Sequence, residues 1–218
     1  MFFPRKSRMP VRVQRRLLEQ FVAGTTARTT AQLLGVQERT AVVFFQRLRQ
    51  LVASKQTHVL LSGEIDMGIN DLVRAKQKRS GQAAPGRVPV FGLLMRDGRI
   101  HTAIIPDADR TTGMQEHVTP DGIIYTDSSP ACTKLNVSEF RYTCIKPGKT
   151  VLSRSGYYIS GIENFWNESR RYLRRFNGIP KTSLYWYLKE CEWRFNGSDH
   201  HALSEQLTDW YQSEIHKS

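Results

Sequence analysis

The chain has 218 residues, 39% of them hydrophobic, enough for one moderate core and a small accessory module but hardly for two large domains. Its 32 Lys and Arg outnumber 20 Asp and Glu, a net charge of +12 that favours a polyanionic partner, nucleic acid first. The opening MFFPRKSRMP lacks the apolar stretch of a secretion signal, no run reaches the ~18 apolar residues of a membrane span, and Cys132, Cys144 and Cys191 show neither zinc nor disulfide spacing, so a cytoplasmic protein with no membrane partner is expected.

Residues 1–52 hold ten Lys and Arg against Glu19 and Glu38. Val13, Leu17, Leu18 and Phe21 recur at helical spacing and are followed by Gly24 and a Thr-rich bend. Ala31, Leu33 and Leu34 predict a short second helix ending at Gly35, and Thr40, Val43, Phe44 and Leu48 a third. Short helices about a Gly-containing turn match the helix-turn-helix pattern, whose last helix enters the major groove while the earlier one braces it. Gln37, Glu38 and Arg39 then lie near the entering end, with Arg47 and Arg49 further along. Base contacts are expected at Gln37 and Arg39, because a guanidinium can donate two hydrogen bonds to guanine, and phosphate contacts at Arg12, Arg15 and Arg16. The same pattern also suits a helical packing domain with a solvated basic face.

Residues 58–65 predict a first strand, 89–95 a second, and 100–105 a third, with Asp97 and Gly98 supplying the turn between the last two. Between the first two lies RAKQKRSGQAAPGR, which suits a phosphate-contacting loop or a merely solvated one. Its Gly81 and Gly86 lack the Lys-Ser ending of a nucleotide-binding loop. Residues 122–126 form a further apolar run ending at Asp127, and a strand is expected near 140–145. The period then changes to about 3.6: Ile162, Trp166, Ser169, Leu173 and Phe176 mark a core side, while Glu163, Asn167, Arg170 and Arg174 mark another. Arg170, Arg171, Arg174, Arg175 and Lys181 form a basic patch, suited to phosphate contact or to a solvated helix face. Two amphipathic helices follow, with Leu184, Leu188, Cys191 and Phe195 as core residues and Leu207 and Trp210 serving core or self-association. Adjacent His200 and His201 lack the His-x-x-x-His spacing of a helical metal site.

Three consecutive strands, a strand bearing Asp127 and a helix bearing Glu163 resemble the α/β ribonuclease-H-like fold, a mixed sheet with flanking helices. The words TTAQLLGV, GEID, GRVPVFGLLMRDGRI, IIYTD, NVSEF, GIENFWNESRRYLRRFNGIPK and LKECEWRFN, spread over residues 12–196, resemble bacterial insertion-sequence transposases with an Asp-Asp-Glu catalytic domain, in a small group without an N-terminal zinc ribbon. The resemblance implies Asp127 as the second catalytic acid, Glu163 as the third, and Arg170, seven residues beyond it, as a DNA-positioning residue. It implies binding at terminal inverted repeats, metal-assisted hydrolysis at the element end, and attack of the 3′-hydroxyl on target DNA by a homo-oligomer that pairs two ends. Two Mg²⁺ (or Mn²⁺) ions need hard oxygen ligands, which Asp66, Asp127 and Glu163 would supply.

The first acid departs from the family pattern. Aligned on Gly63-Glu64-Ile65, the family's catalytic Asp falls on Gly68, while Asp66 occupies the preceding acidic position and shares its strand face, roughly 6.6 Å away. Tyr158 and Ser160 stand where the family often has His and Asn. The expected organisation is a helix-turn-helix domain over residues 1–55 and a ribonuclease-H-like domain with C-terminal helices over 56–218, in a nucleoid-associated protein. Its function is repeat binding with DNA cleavage and strand transfer if Asp66 compensates, or that of a catalytically degenerate DNA-binding protein or transposition repressor if it does not.

Overall fold

A computed structural model describes residues 9–56, 60–70, 90–95, 97–104, 117–120, 122–126, 141–144, 159–176, 178–197 and 199–216. The chain divides into two compact units, residues 1–56 with 189–218 and residues 57–188.

The first unit opens with helices α1 (Val11–Val22), α2 (Ala27–Leu34) and α3 (Glu38–Lys55). The Pro10 carbonyl accepts from the Val13 and Gln14 amides at 2.9 and 3.1 Å, which starts α1 where a proline has no donor to lose. Thr26 Oγ1 accepts from the Thr29 amide at 3.2 Å and caps α2. Gly35 ends α2 in the left-handed region at φ +64°, and the Val36 amide returns to the Ala31 carbonyl at 3.1 Å. Three residues therefore separate α2 from α3, and the turn expected at Gly35 is present. Glu38 in the first turn of α3 and Lys55 in its last complement the helix dipole.

The core of this unit joins Leu17, Phe21, Phe45 and Leu48 to Trp193, Leu203 and Leu207. The latter belong to α5 (Lys181–Asn196) and α6 (His200–His216). Packing places residues from Lys189 onward with α1–α3. The reason is local burial: Phe21 meets the Phe45 ring edge-on at 5.2 Å and stacks on Trp193 at 6.3 Å, so α1 and α3 share their core with α5. Leu33 is 63% exposed, because the short α2 buries only Thr30 and Ala31.

The second unit holds a five-stranded sheet of β1 (Glu64–Asn70), β2 (Val90–Met95), β3 (Ile100–Ile104), β4 (Ile123–Thr126) and β5 (Arg141–Cys144). Its order is β3-β2-β1-β4-β5. The β1–β2 and β2–β3 ladders are antiparallel, whereas β1–β4 and β4–β5 are parallel. Asp97 accepts from the Arg99 amide at 3.0 Å and Gly98 takes φ +84°, closing the β2–β3 hairpin as its Asp-Gly turn requires.

The first strand is later than 58–65. Leu61 makes only an isolated parallel bridge to Val118, and Gly63 at φ +79° breaks the extension before β1 begins. One face of the sheet buries Ile65, Met67, Phe91, Leu93 and Ile124. Helix α4 (Ile159–Leu173) packs on β1 and β2, through the opposite face that carries Asp66, Gly68 and Gly92.

Candidate functional site

On the helical unit, Arg12, Arg15 and Arg16 of α1 are exposed, as are Gln37, Arg39 and Arg47 at and along α3. Arg15 is 3.4 Å from Glu19 one turn on, a solvated pair. Burial raises the Tyr211 phenol above its ordinary range, against the opposing charge of Arg47, and it donates to Gln14 Oε1 at 2.6 Å. Arg49 differs from the expectation of a residue further along the groove-entering helix. Its side chain is buried and its Nε donates to Glu190 Oε2 at 2.7 Å. Glu190, also buried, accepts from Arg194 at 2.8 Å, and Arg194 donates onward to the Phe21 and Val22 carbonyls at 2.6 and 2.8 Å. That guanidinium adds a second donor to the Phe21 carbonyl, which also accepts from the Gly24 amide at 2.9 Å, and bonds the Val22 carbonyl at the end of α1. No spacing signal announces this link, because Arg49 and Glu190 lie 141 positions apart.

On the sheet unit, Asp66 is 7% exposed in the middle of β1. It pairs with Leu94 on one side and with Tyr125 on the other, two positions before Asp127 in sequence. Met67 pairs with Thr126, the last residue of β4. Asp127 itself lies outside the described residues, as do the basic loop at 74–87 and Tyr158.

Gly68 faces α4. A Cβ built there would meet Ile162 Cδ1 and Trp166 Nε1, each at 3.0 Å, and one on Gly92 would meet Trp166 Cζ2 at 2.7 Å. Gly161 on α4 approaches closely in return, its own Cβ position 2.6 Å from Leu94 Cδ2. The periodicity of α4 is as expected through Leu173: Ile162, Trp166, Ser169 and Leu173 are buried, Glu163 and Asn167 exposed, and Arg170 half-buried, donating to Asn167 Oδ1 at 3.1 Å; beyond the helix end Arg174 is exposed and Phe176, expected on the core side, is only half-buried. Phe165, which sequence reasoning did not single out, is fully buried beside Trp166. Its position one step from Trp166 widens the apolar stripe, which the 3.6-residue period allows.

Among the described residues, no three His, Cys, Asp or Glu side chains are grouped so as to hold a metal ion. Of the three expected metal donors the described residues include Asp66, buried on β1, and Glu163, exposed on α4, while the position two residues after Asp66 offers packing instead of an oxygen. No described helix is long and apolar enough to cross a membrane.

Three antiparallel strands followed by two strands parallel to the first, in the order 3-2-1-4-5 with a helix across the central strands, define a ribonuclease-H-like protein. The chain belongs to the ISXO2-like transposase domain family, a group of bacterial DDE transposases, which matches residues 61–196. A transposase-like protein of Haemophilus influenzae is 43% identical over 104 residues, covering 46% of this chain and 84% of the relative. The crystal structures of the Mos1 strand transfer complex and of a pre-cleavage Mos1 transpososome align over 98% of this chain, with 80% and 81% of theirs covered. Their identities are 13% and 12% and their TM-scores 0.33 and 0.30, so the fold assignment rests on strand order and not on them.

Proposed function

We propose that this transposase-family protein binds duplex DNA at terminal inverted repeats and that its cleavage and strand-transfer chemistry is lost or severely weakened. The observation that carries the second part is Gly68. The residue that the family pattern makes the first catalytic acid is a glycine under Ile162 and Trp166, where the carboxylate oxygen is missing and an added Cβ would sit 3.0 Å from a side-chain atom of each. Divalent-metal dependence belongs to the family's chemistry, with Mg²⁺ or Mn²⁺ as the ion; here Asp66, Asp127 and Glu163 are the donors left to bind it.

DNA binding is assigned to a helix-turn-helix domain at residues 1–55, with Gln37 and Arg39 reading bases and Arg12, Arg15, Arg16 and Arg47 meeting phosphates. The exposed positions of these six side chains and the three-residue turn at Gly35 support it. Arg170 and Arg174 are assigned to DNA beside Glu163, residues 56–218 to the transposase domain, and the working form to a homo-oligomer pairing two ends on the nucleoid. The competing reading, in which Asp66 replaces the missing acid, is favoured by its burial on the same strand face as Gly68.

Strand transfer of paired terminal-repeat duplexes with Mg²⁺ or Mn²⁺ separates them. Wild type, Asp66→Ala and Asp127→Ala are expected to bind the repeats equally and to yield little or no product. Robust wild-type transfer abolished by both substitutions would establish Asp66 as a working ligand.

A further inference from the structure

Helix α3 carries apolar side chains where a solvated helix face has no use for them. Val42 is 44% exposed and Val43 39%, although Phe44, Phe45 and Leu48 on the same helix are buried. With Arg39 and Gln46, both exposed, the two valines form an i, i+3, i+4, i+7 patch on one face. Arg47 extends it, and Gln37, Arg39, Val43 and Arg47 line one shallow cleft with Met9.

We propose that Val42 and Val43 read thymine methyl groups in the major groove, setting the sequence preference of the DNA-binding unit. The inference rests on the DNA-binding reading above and adds which atoms are recognised. In the major groove a thymine presents its C5-methyl beside a hydrogen-bond acceptor, and the methyl can be recognised only by an apolar contact. A β-branched side chain suits that contact, since its rotamer is already restricted in a helix and little freedom is lost on binding. The flanking charge selects the partner: Arg39 and Arg47 border the patch in a chain of net charge +12, which complements a phosphate-lined groove and disfavours a second copy of the same basic surface. Gln46, one turn beyond Val42, is placed to meet an adjacent adenine edge.

The test uses the full chain and duplexes enriched by it from a random-sequence pool, resynthesised with deoxyuridine replacing one thymidine at a time. At the positions read, wild type is expected to lose about fourfold in affinity per methyl removed. The Val42→Ala/Val43→Ala variant should show a thymidine-to-deoxyuridine ratio near one while unfolding at the wild-type midpoint; both sites are exposed and alanine favours the helix. Enrichment without any deoxyuridine effect, or an effect of equal size in the variant, would overturn the methyl reading and leave DNA binding standing. No enrichment at all would defeat DNA binding and the inference together. Self-association that Val42→Glu abolishes in DNA-free samples would assign the patch to a second copy instead.

Discussion

Gly68 stands directly opposite Gly92 in the antiparallel β1–β2 ladder, and the indole of Trp166 lies over both. Two side-chain-free positions side by side make a floor on which a large aromatic ring can lie closer to the sheet than any Cβ would permit. Gly68 therefore has a packing role under Trp166.

Removing the ring should be costly. Trp166 is 4% exposed, and Trp166→Ala is expected to lower unfolding free energy by about 3–5 kcal/mol through lost burial and the cavity left behind. Gly92→Ala should cost about 1–3 kcal/mol from the opposite cause, overpacking against Trp166 Cζ2. Urea unfolding with an unchanged slope measures both. A loss below about 1 kcal/mol for Trp166→Ala would contradict its place in the core.

Restoring the acid alone should not restore a working site. The Cβ of Gly68→Asp meets two side-chain atoms at 3.0 Å, so the variant is expected to be less stable by about 1–3 kcal/mol and to gain little strand transfer. Adding Ile162→Val, which takes away Ile162 Cδ1, should recover part of the stability. If Gly68→Asp unfolds at the wild-type midpoint, α4 yields easily and the packing argument fails.

The Arg49–Glu190 pair predicts a different behaviour from the solvated Arg15–Glu19 pair on α1. Both partners are buried and Glu190 also holds Arg194, so Glu190→Ala removes the carboxylate that two guanidinium groups share and should cost about 3–5 kcal/mol. Little of that loss should depend on salt, because buried pairs are poorly screened. Arg15→Ala, by contrast, should change stability by less than about 1 kcal/mol. Denaturant unfolding of each variant at low and high ionic strength distinguishes the two cases.

Binding to duplex DNA should separate positioning from reading. Arg15→Ala is expected to weaken binding similarly on all sequences and to reduce the slope of log affinity against log salt by about 0.9. Arg39→Ala should lose discrimination between sequences, by about 1–3 kcal/mol at the base pair it contacts. Affinities over a salt series on matched and scrambled duplexes give both quantities; a purely uniform loss for Arg39→Ala would move it to the phosphate-contacting set.

Much of this architecture is written locally. The α1–α3 periodicities, Gly35, the Asp97-Gly98 hairpin and the alternation of buried and exposed residues along α4 depend on neighbours within a turn or a strand pair, so sequence alone placed them. The family words likewise pointed to the ribonuclease-H-like sheet. Only the tertiary structure decided the start of β1, where Gly63 turns and Leu61 merely bridges, and the fate of Arg49, whose carboxylate partner is 141 residues away. It also decided that the C-terminal helices share their core with α1–α3 and that Gly68 and Gly92 form one surface under Trp166. Each of these is a contact between segments distant in the chain. Such contacts are selected by the shapes that meet after folding, which no local period records.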